Sequence, residues 1–253
     1  MYNYLFGTPA LPRKPSTASQ SDWFVLGAYP SALHVRWEPA MGEPISAVAV
    51  ADEPEPFWDG EDQESRIKEW AESLPWNPDW GQISSPGELN GSSGTWLFEQ
   101  VLTPLRIARA QPWTTDCLDI YHESKGAAKR LDEPRFRDIL ARLKIQDRSL
   151  PSHPSEGQIV RNAQLDRLRS ELANCQPRYV ITLGNAALRV FGSLIEGSAP
   201  IRKLVADSSY GRGFEVRIAG VSSIELLPLA HPGARGDFPQ AHAKWRESRQ
   251  RDT

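Results

Sequence analysis

The stretch from Ser155 to Leu194 restricts the fold of this 253-residue chain more than any other. Ser155 stands three residues before Gln158, the spacing of a reciprocal N-terminal capping box. Leu165, Leu168, Leu172 and Cys175 then recur every three or four residues, which places them on one face of a helix spanning 155–175. Pro177 closes that helix, because proline cannot donate a backbone hydrogen bond. A β-favouring run follows, Tyr179-Val180-Ile181-Thr182-Leu183, and it empties through Gly184-Asn185 into a second helix from Ala186 to Leu194. Helix, strand, tight turn and helix in this order form the repeating unit of a parallel sheet.

Other segments fit the same plan. Trp23 to Leu26 reads as a buried strand ending at Gly27, and Ala47 to Val50 as a second short strand. Thr114 to Ile120 is a third, Phe214 to Ile218 a short strand or hairpin, and Ile224 to Leu229 the last core strand. Helices are expected over 64–74, 95–107 with a bend at Pro104, 133–143 and 240–250. Residues 51–93 are rich in Trp, Pro and acids and read as an insertion or lid. The expected architecture is an α/β domain over 21–253, preceded by a loosely ordered lead-in over 1–20. Its expected form is a three-layer α/β/α sandwich around a central four-stranded, mostly parallel sheet.

Composition narrows the function classes. A hydrophobic fraction of 40% and a charged fraction of 24% are ordinary for a globular chain. No apolar run approaches the roughly 20 residues of a membrane span, and no membrane partner is expected. The first residues lack the charged-then-apolar order of a signal peptide, so a cytoplasmic location is expected. Only Cys117 and Cys175 are present, which excludes a disulfide framework or a four-cysteine metal cluster. A net charge of −3 argues against binding nucleic acid by bulk positive charge, although Lys244, Arg246, Arg249 and Arg251 form a local basic tail or a solvated helix end.

In an open parallel sheet, ligands bind beyond the carboxyl ends of the strands. Four such ends carry polar or glycine-rich residues: Gly27-Ala28-Tyr29-Pro30-Ser31, Asp116, Gly184-Asn185, and His231-Pro232-Gly233-Ala234-Arg235. Taken singly, each has an ordinary structural reading as turn glycines, a helix-capping Asn or a hydrogen-bonded strand-end His. Their placement at one sheet edge is the signal.

This ordered series resembles the uracil-DNA glycosylase superfamily, most nearly its iron–sulfur-type bacterial branch, over about residues 22–246. The resemblance rests on Gly27 to Pro30 as a Gly-x-x-Pro loop and Pro56-Phe57 with Trp58 as a base-stacking loop. It rests further on Asp116 where relatives place a base-reading Asn, the segment from Gln158 through Ala187, and His231-Pro232-Gly233 followed by Arg235. It implies an enzyme that extrudes a base from DNA and hydrolyses its N-glycosidic bond, in repair or in defence against foreign DNA.

In that reading His231 and Asp116 are catalytic. Gly27, Ala28, Tyr29, Phe57, Trp58 and Asn185 contact the base, while Pro30, Ser31, Pro232, Gly233, Ala234 and Arg235 meet the DNA. The aromatics are equally open to plain core packing. Single- or double-stranded DNA is the expected partner of a monomer, with no cofactor and no metal.

Three departures shape the expectation. The cluster cysteines are absent. Ala28 and Tyr29 replace the acid or amide that relatives carry in the first loop, with Asp52 or Glu53 as substitutes or as solvated loop acids. Asp116 replaces the Asn; an ionised aspartate only accepts hydrogen bonds, so it suits a cytosine-like amino group better than uracil, or else it caps a helix or pairs with an Arg. A non-catalytic nucleic-acid or nucleotide-binding module is the alternative. A different hydrolase using His231 is the weakest reading, since neither a Gly-x-Ser-x-Gly elbow nor a phosphate-binding P-loop is present.

Overall fold

A computed structural model describes residues 1–15, 20–221 and 223–251, without the side chains of 250 and 251. In chain order the elements begin with β1 (Trp23–Gly27), β2 (Ala32–Glu38), β3 (Ile45–Asp52), α1 (Gln63–Glu72), β4 (Gln82–Ser84) and α2 (Ser92–Leu97). Next come β5 (Trp113–Asp116), α3 (Lys125–Leu131), α4 (Pro134–Leu143), α5 (Glu156–Asn162) and α6 (Leu165–Cys175). The last are β6 (Tyr179–Leu183), α7 (Gly184–Gly192), β7 (Phe214–Val216), β8 (Ile224–Leu229) and α8 (Phe238–Arg251). They fall into two compact units, one of Met1–Arg13, Pro30–Thr95 and Ile120–His153, the other of Lys14–Tyr29, Trp96–Asp119 and Pro154–Thr253.

The second unit carries the parallel sheet, in the order β5-β1-β6-β8-β7. Its first four strands run parallel, and β7 pairs antiparallel with β8 at the edge. The sheet therefore has five strands, not the expected four, because Phe214 to Val216 finds backbone partners along Ile224 to Leu226. Phe24, Leu26, Val180 and Leu226 of the sheet share one core with Leu168 and Leu172 of α6 and Leu188 and Phe191 of α7. The capping box of Ser155 and Gln158 is present. The expected single helix over 155–175 is divided, because Ala163 leaves helical geometry and the Gln164 N–H turns to the Cys117 carbonyl, 3.3 Å away. The helix expected over 95–107 also ends early: after Leu97 it widens into a π-helical stretch, Phe98–Leu102, just before Pro104.

The first unit holds an antiparallel sheet, β3-β2-β4. Leu33, Val35 and Trp37 alternate with His34, Arg36 and Glu38 along β2, a period of two that buries one face. This strand was not anticipated, although its alternation is visible in the sequence. Residues 51–93 supply Trp58, Ile67 and Trp70 to this core. Each indole N–H has a fixed acceptor, Trp58 giving to Asp62 at 2.8 Å and Trp70 to the Thr8 hydroxyl at 2.8 Å. Residues 1–13 belong to the same body and are not a loose lead-in, since Tyr4 and Leu5 are fully buried. Residues 16–19 of that expected lead-in lie outside the described residues.

His34 makes this unit sensitive to acid. Its backbone N–H and C=O both bond the buried Asn90 amide, each at 2.9 Å, and burial pushes its imidazole down from 6.5 to about 4. The unfolded chain thus takes up a proton near pH 6.5 that the folded chain refuses until pH 4. Stability from this group is fully present above pH 6.5 and falls by about 3 kcal/mol on acidification to pH 4. Urea unfolding of the wild type and His34→Gln across this range should show the wild type losing that much more. Parallel pH curves would contradict the assignment.

Candidate functional site

The parallel register brings four strand ends to one edge of the second unit's sheet. Gly27 lies opposite Asp116, and Leu183 opposite Leu229. The turn after β1 is held against the segment after β5 by two more backbone bonds, Cys117 N–H to Gly27 O and Leu118 N–H to Ala28 O, each 3.1 Å. Gly27, Ala28, Tyr29 and Asp116 therefore form one continuous wall. Asp116 is only 5% exposed.

Arg167 of α6 fixes that wall from behind. Its guanidinium bonds the Thr115 hydroxyl at 2.9 Å and the Asp116 carbonyl, and pairs with Glu171. Glu171 in turn accepts from the Trp113 indole at 3.4 Å. Tyr29 is half-buried; burial first, and the Asp116 charge second, raise its phenol above its ordinary value. Tyr29 therefore presents a hydroxyl, not a phenolate, across the physiological range.

The other wall comes from β6 and β8. Gly184 opens α7 at φ +89°, and a Cβ placed there would stand 3.1 Å from the His231 Cβ. Only glycine meets both conditions without strain. Gly184→Ala is expected to cost about 1–2 kcal/mol, read from the urea midpoint; an unchanged midpoint would show that the turn is not constrained. The Asn185 side-chain Oδ1 accepts from Leu204 N–H at 2.8 Å, which anchors a neighbouring loop. Leu183 is the residue preceding the helix, so Asn185 is not its cap.

His231 is exposed on the turn after β8. Its Nδ1 accepts the Gly233 N–H at 3.0 Å, and its carbonyl accepts the Ala234 N–H at 2.8 Å. A nitrogen that accepts carries no proton, so the neutral ring bears its hydrogen on Nε2. A small cleft of about 170 Å³ lies beside His231, walled by Trp96, Gln100, Phe238 and His242.

Pro30, Ser31, Phe57 and Trp58 belong to the first unit. Trp58 is 4% exposed and packed in that unit's core, so it offers no face to a base, while Phe57 is partly buried at φ +56°. Asp52 accepts from the Tyr4 hydroxyl at 2.7 Å and Leu11 N–H at 3.0 Å. Glu53 accepts the Ser31 N–H at 3.0 Å and pairs with Arg13 at 3.4 Å. Both acids are held as parts of the first unit's frame and are not solvated loop acids.

Pro232 and Ala234 are partly buried, whereas Gly233 and Arg235 are exposed. On α8, Arg246 bonds the Gln100 side chain and Arg249 lies over the Trp245 ring, so the basic tail is partly engaged. The Arg251 side chain lies outside the described residues. Burial raises the Cys117 thiol well up and the Cys175 thiol to about 11, which leaves neither as a nucleophile at neutral pH. Among the described residues, no three His, Cys, Asp or Glu side chains are placed to hold a metal, and no helix is long and apolar enough to cross a membrane.

Sequence reasoning did not single out Arg167, Tyr210 or His242. Arg167 occupies a helix position that carries no motif, and Tyr210 sits in a polar loop. In comparisons with known proteins, no family model matches the chain and no curated protein matches it.

Proposed function

We propose that the second unit binds an extruded base of DNA at this edge and hydrolyses its N-glycosidic bond, with uracil or a modified, cytosine-like base as the target. The observation that carries the reading is the convergence of Gly27–Tyr29, Asp116, Gly184 and His231 at the carboxyl ends of four parallel strands. On this reading the four parallel strands are the core of a three-layer α/β/α sandwich, and β7 is an addition at its edge.

The chemistry follows from the donor set. The Nε2 hydrogen of His231 donates to a ring carbonyl oxygen as negative charge grows on the departing base. Asp116 accepts from an exocyclic amino group, and Tyr29 adds a phenol as a stacking face. The C1′–N bond breaks with its electron pair going to the base. Water adds to C1′, and a proton passes to the base, leaving an abasic sugar.

A binding module without catalysis remains the second reading, favoured by one observation: Ala28 and Tyr29 bring no carboxylate to the first loop, and Asp52 and Glu53 are committed to the frame of the first unit. Oligonucleotides carrying single uracil, cytosine or modified cytosines, treated with the protein and then with alkali, separate the two. Strand breaks at the target base are expected. Retarded but intact DNA across the whole panel would favour the binding module.

A further inference from the structure

Behind His231 lies a buried chain of hydrogen bonds with a single consistent proton arrangement. His242 of α8 is 6% exposed. Its Nε2 stands 3.0 Å from the Gln100 carbonyl oxygen and its Nδ1 2.8 Å from the Tyr210 hydroxyl. A carbonyl only accepts, so Nε2 must carry the hydrogen and Nδ1 must accept. Tyr210 therefore donates to Nδ1, and its oxygen is left to accept the Ala230 N–H at 2.8 Å.

Burial supports this neutral state, since it is the largest cause lowering the His242 imidazole and it raises the Tyr210 phenol to about 12. Tyr210 and, from its own helix, Arg246 stand near the ring, His231 lines the same cleft, and Trp96 and Trp245 supply ring faces. The chain ends on Ala230, the residue between the last core strand and His231.

We infer that Tyr210 and His242 are positioning residues, which lock the Ala230 amide and thereby set where His231 stands at the sheet edge. Neither touches the base. Gln100 anchors the far end, so the π-helical stretch Phe98–Leu102 and α8 are joined through one imidazole to the His231 turn. The catalytic consequence rests on the base-excision reading; the hydrogen-bond chain does not.

Two readouts test it. Tyr210→Phe keeps the ring and deletes the hydroxyl. Amide exchange at Ala230 should accelerate about tenfold, with Leu227 and Leu229 unchanged, and the rate of base release should fall about tenfold while affinity for abasic DNA holds. His242→Gln can still donate to Gln100 and accept from Tyr210, so it should retain slow exchange, whereas His242→Leu should not.

If Tyr210→Phe does not fold, the His242 pair decides alone. Wild-type exchange at Ala230 in both Tyr210→Phe and His242→Leu, or a loss spread evenly over β8, overturns the proposal. If the wild type releases no base from any DNA, the excision reading fails while the exchange result still decides the relay.

Discussion

His231→Ala should, on the base-excision reading, slow base release by about 10²–10³-fold under single-turnover conditions, the usual effect of removing one preorganised donor from a developing anion. Two features support so large an effect for so small a change. The ring is fixed by Gly233 N–H on Nδ1, so the Nε2 hydrogen points in one direction at no reorganisation cost. The His231 backbone is fixed by the close approach to Gly184 and by the Ala234 turn. Because the side chain is exposed, folding stability should change by less than about 0.5 kcal/mol. DNA affinity should be nearly kept, since the phosphate contacts would come from other groups. A variant that releases base at the wild-type rate would remove His231 from the mechanism.

The largest loss of stability is expected in the first unit, from Arg148→Met. The Arg148 and Glu123 side chains are 8% and 7% exposed, and Arg148 Nε stands 2.9 and 3.0 Å from the two carboxylate oxygens. The same guanidinium reaches Asp132 and Asp147, each at 3.0 Å. Burial already holds the Glu123 carboxyl above its ordinary value, against the lowering effect of Arg148. Without the guanidinium, a carboxylate is left in a site that disfavours charge, at a cost of about 3–5 kcal/mol.

Glu123→Gln in the same chain removes the stranded charge, so the double variant should recover most of the loss. The single variant should also be relatively less destabilised at acid pH, where Glu123 takes up a proton and its raised carboxyl is neutral. Urea unfolding of wild type, single and double variants measures this. Equal losses for Arg148→Met and the double variant would show that lost packing, not stranded charge, sets the cost.

The parallel sheet was legible because its strands obey simple local rules. Tyr179 to Leu183 and Ile224 to Leu229 are apolar runs closed by turn residues, and both form as read. The first unit was harder to see. β2 includes His34, Arg36 and Glu38, and its bulges between Leu33 and His34 and between Val35 and Trp37 break a uniform register. The tryptophans of 51–93 suggested a cover for something else, yet the Trp70 and Trp80 indoles are held by the distant Thr8 and Leu143, which no local pattern reveals.

The site was legible in part for the same reason. Strand-end residues follow from chain order, so Gly27, Asp116, Gly184 and His231 could be named together. Arg167, Tyr210 and His242 act across 20 to more than 100 residues of sequence, through single hydrogen bonds that leave no periodic trace.

The most direct test of the account is the hydrogen-exchange footprint of DNA carrying a non-cleavable analogue of the target nucleotide. Protection is predicted at 27–29, 116–118, 184–185 and 231–235 together. Protection confined to the first unit, with the His231 turn unchanged, would contradict it.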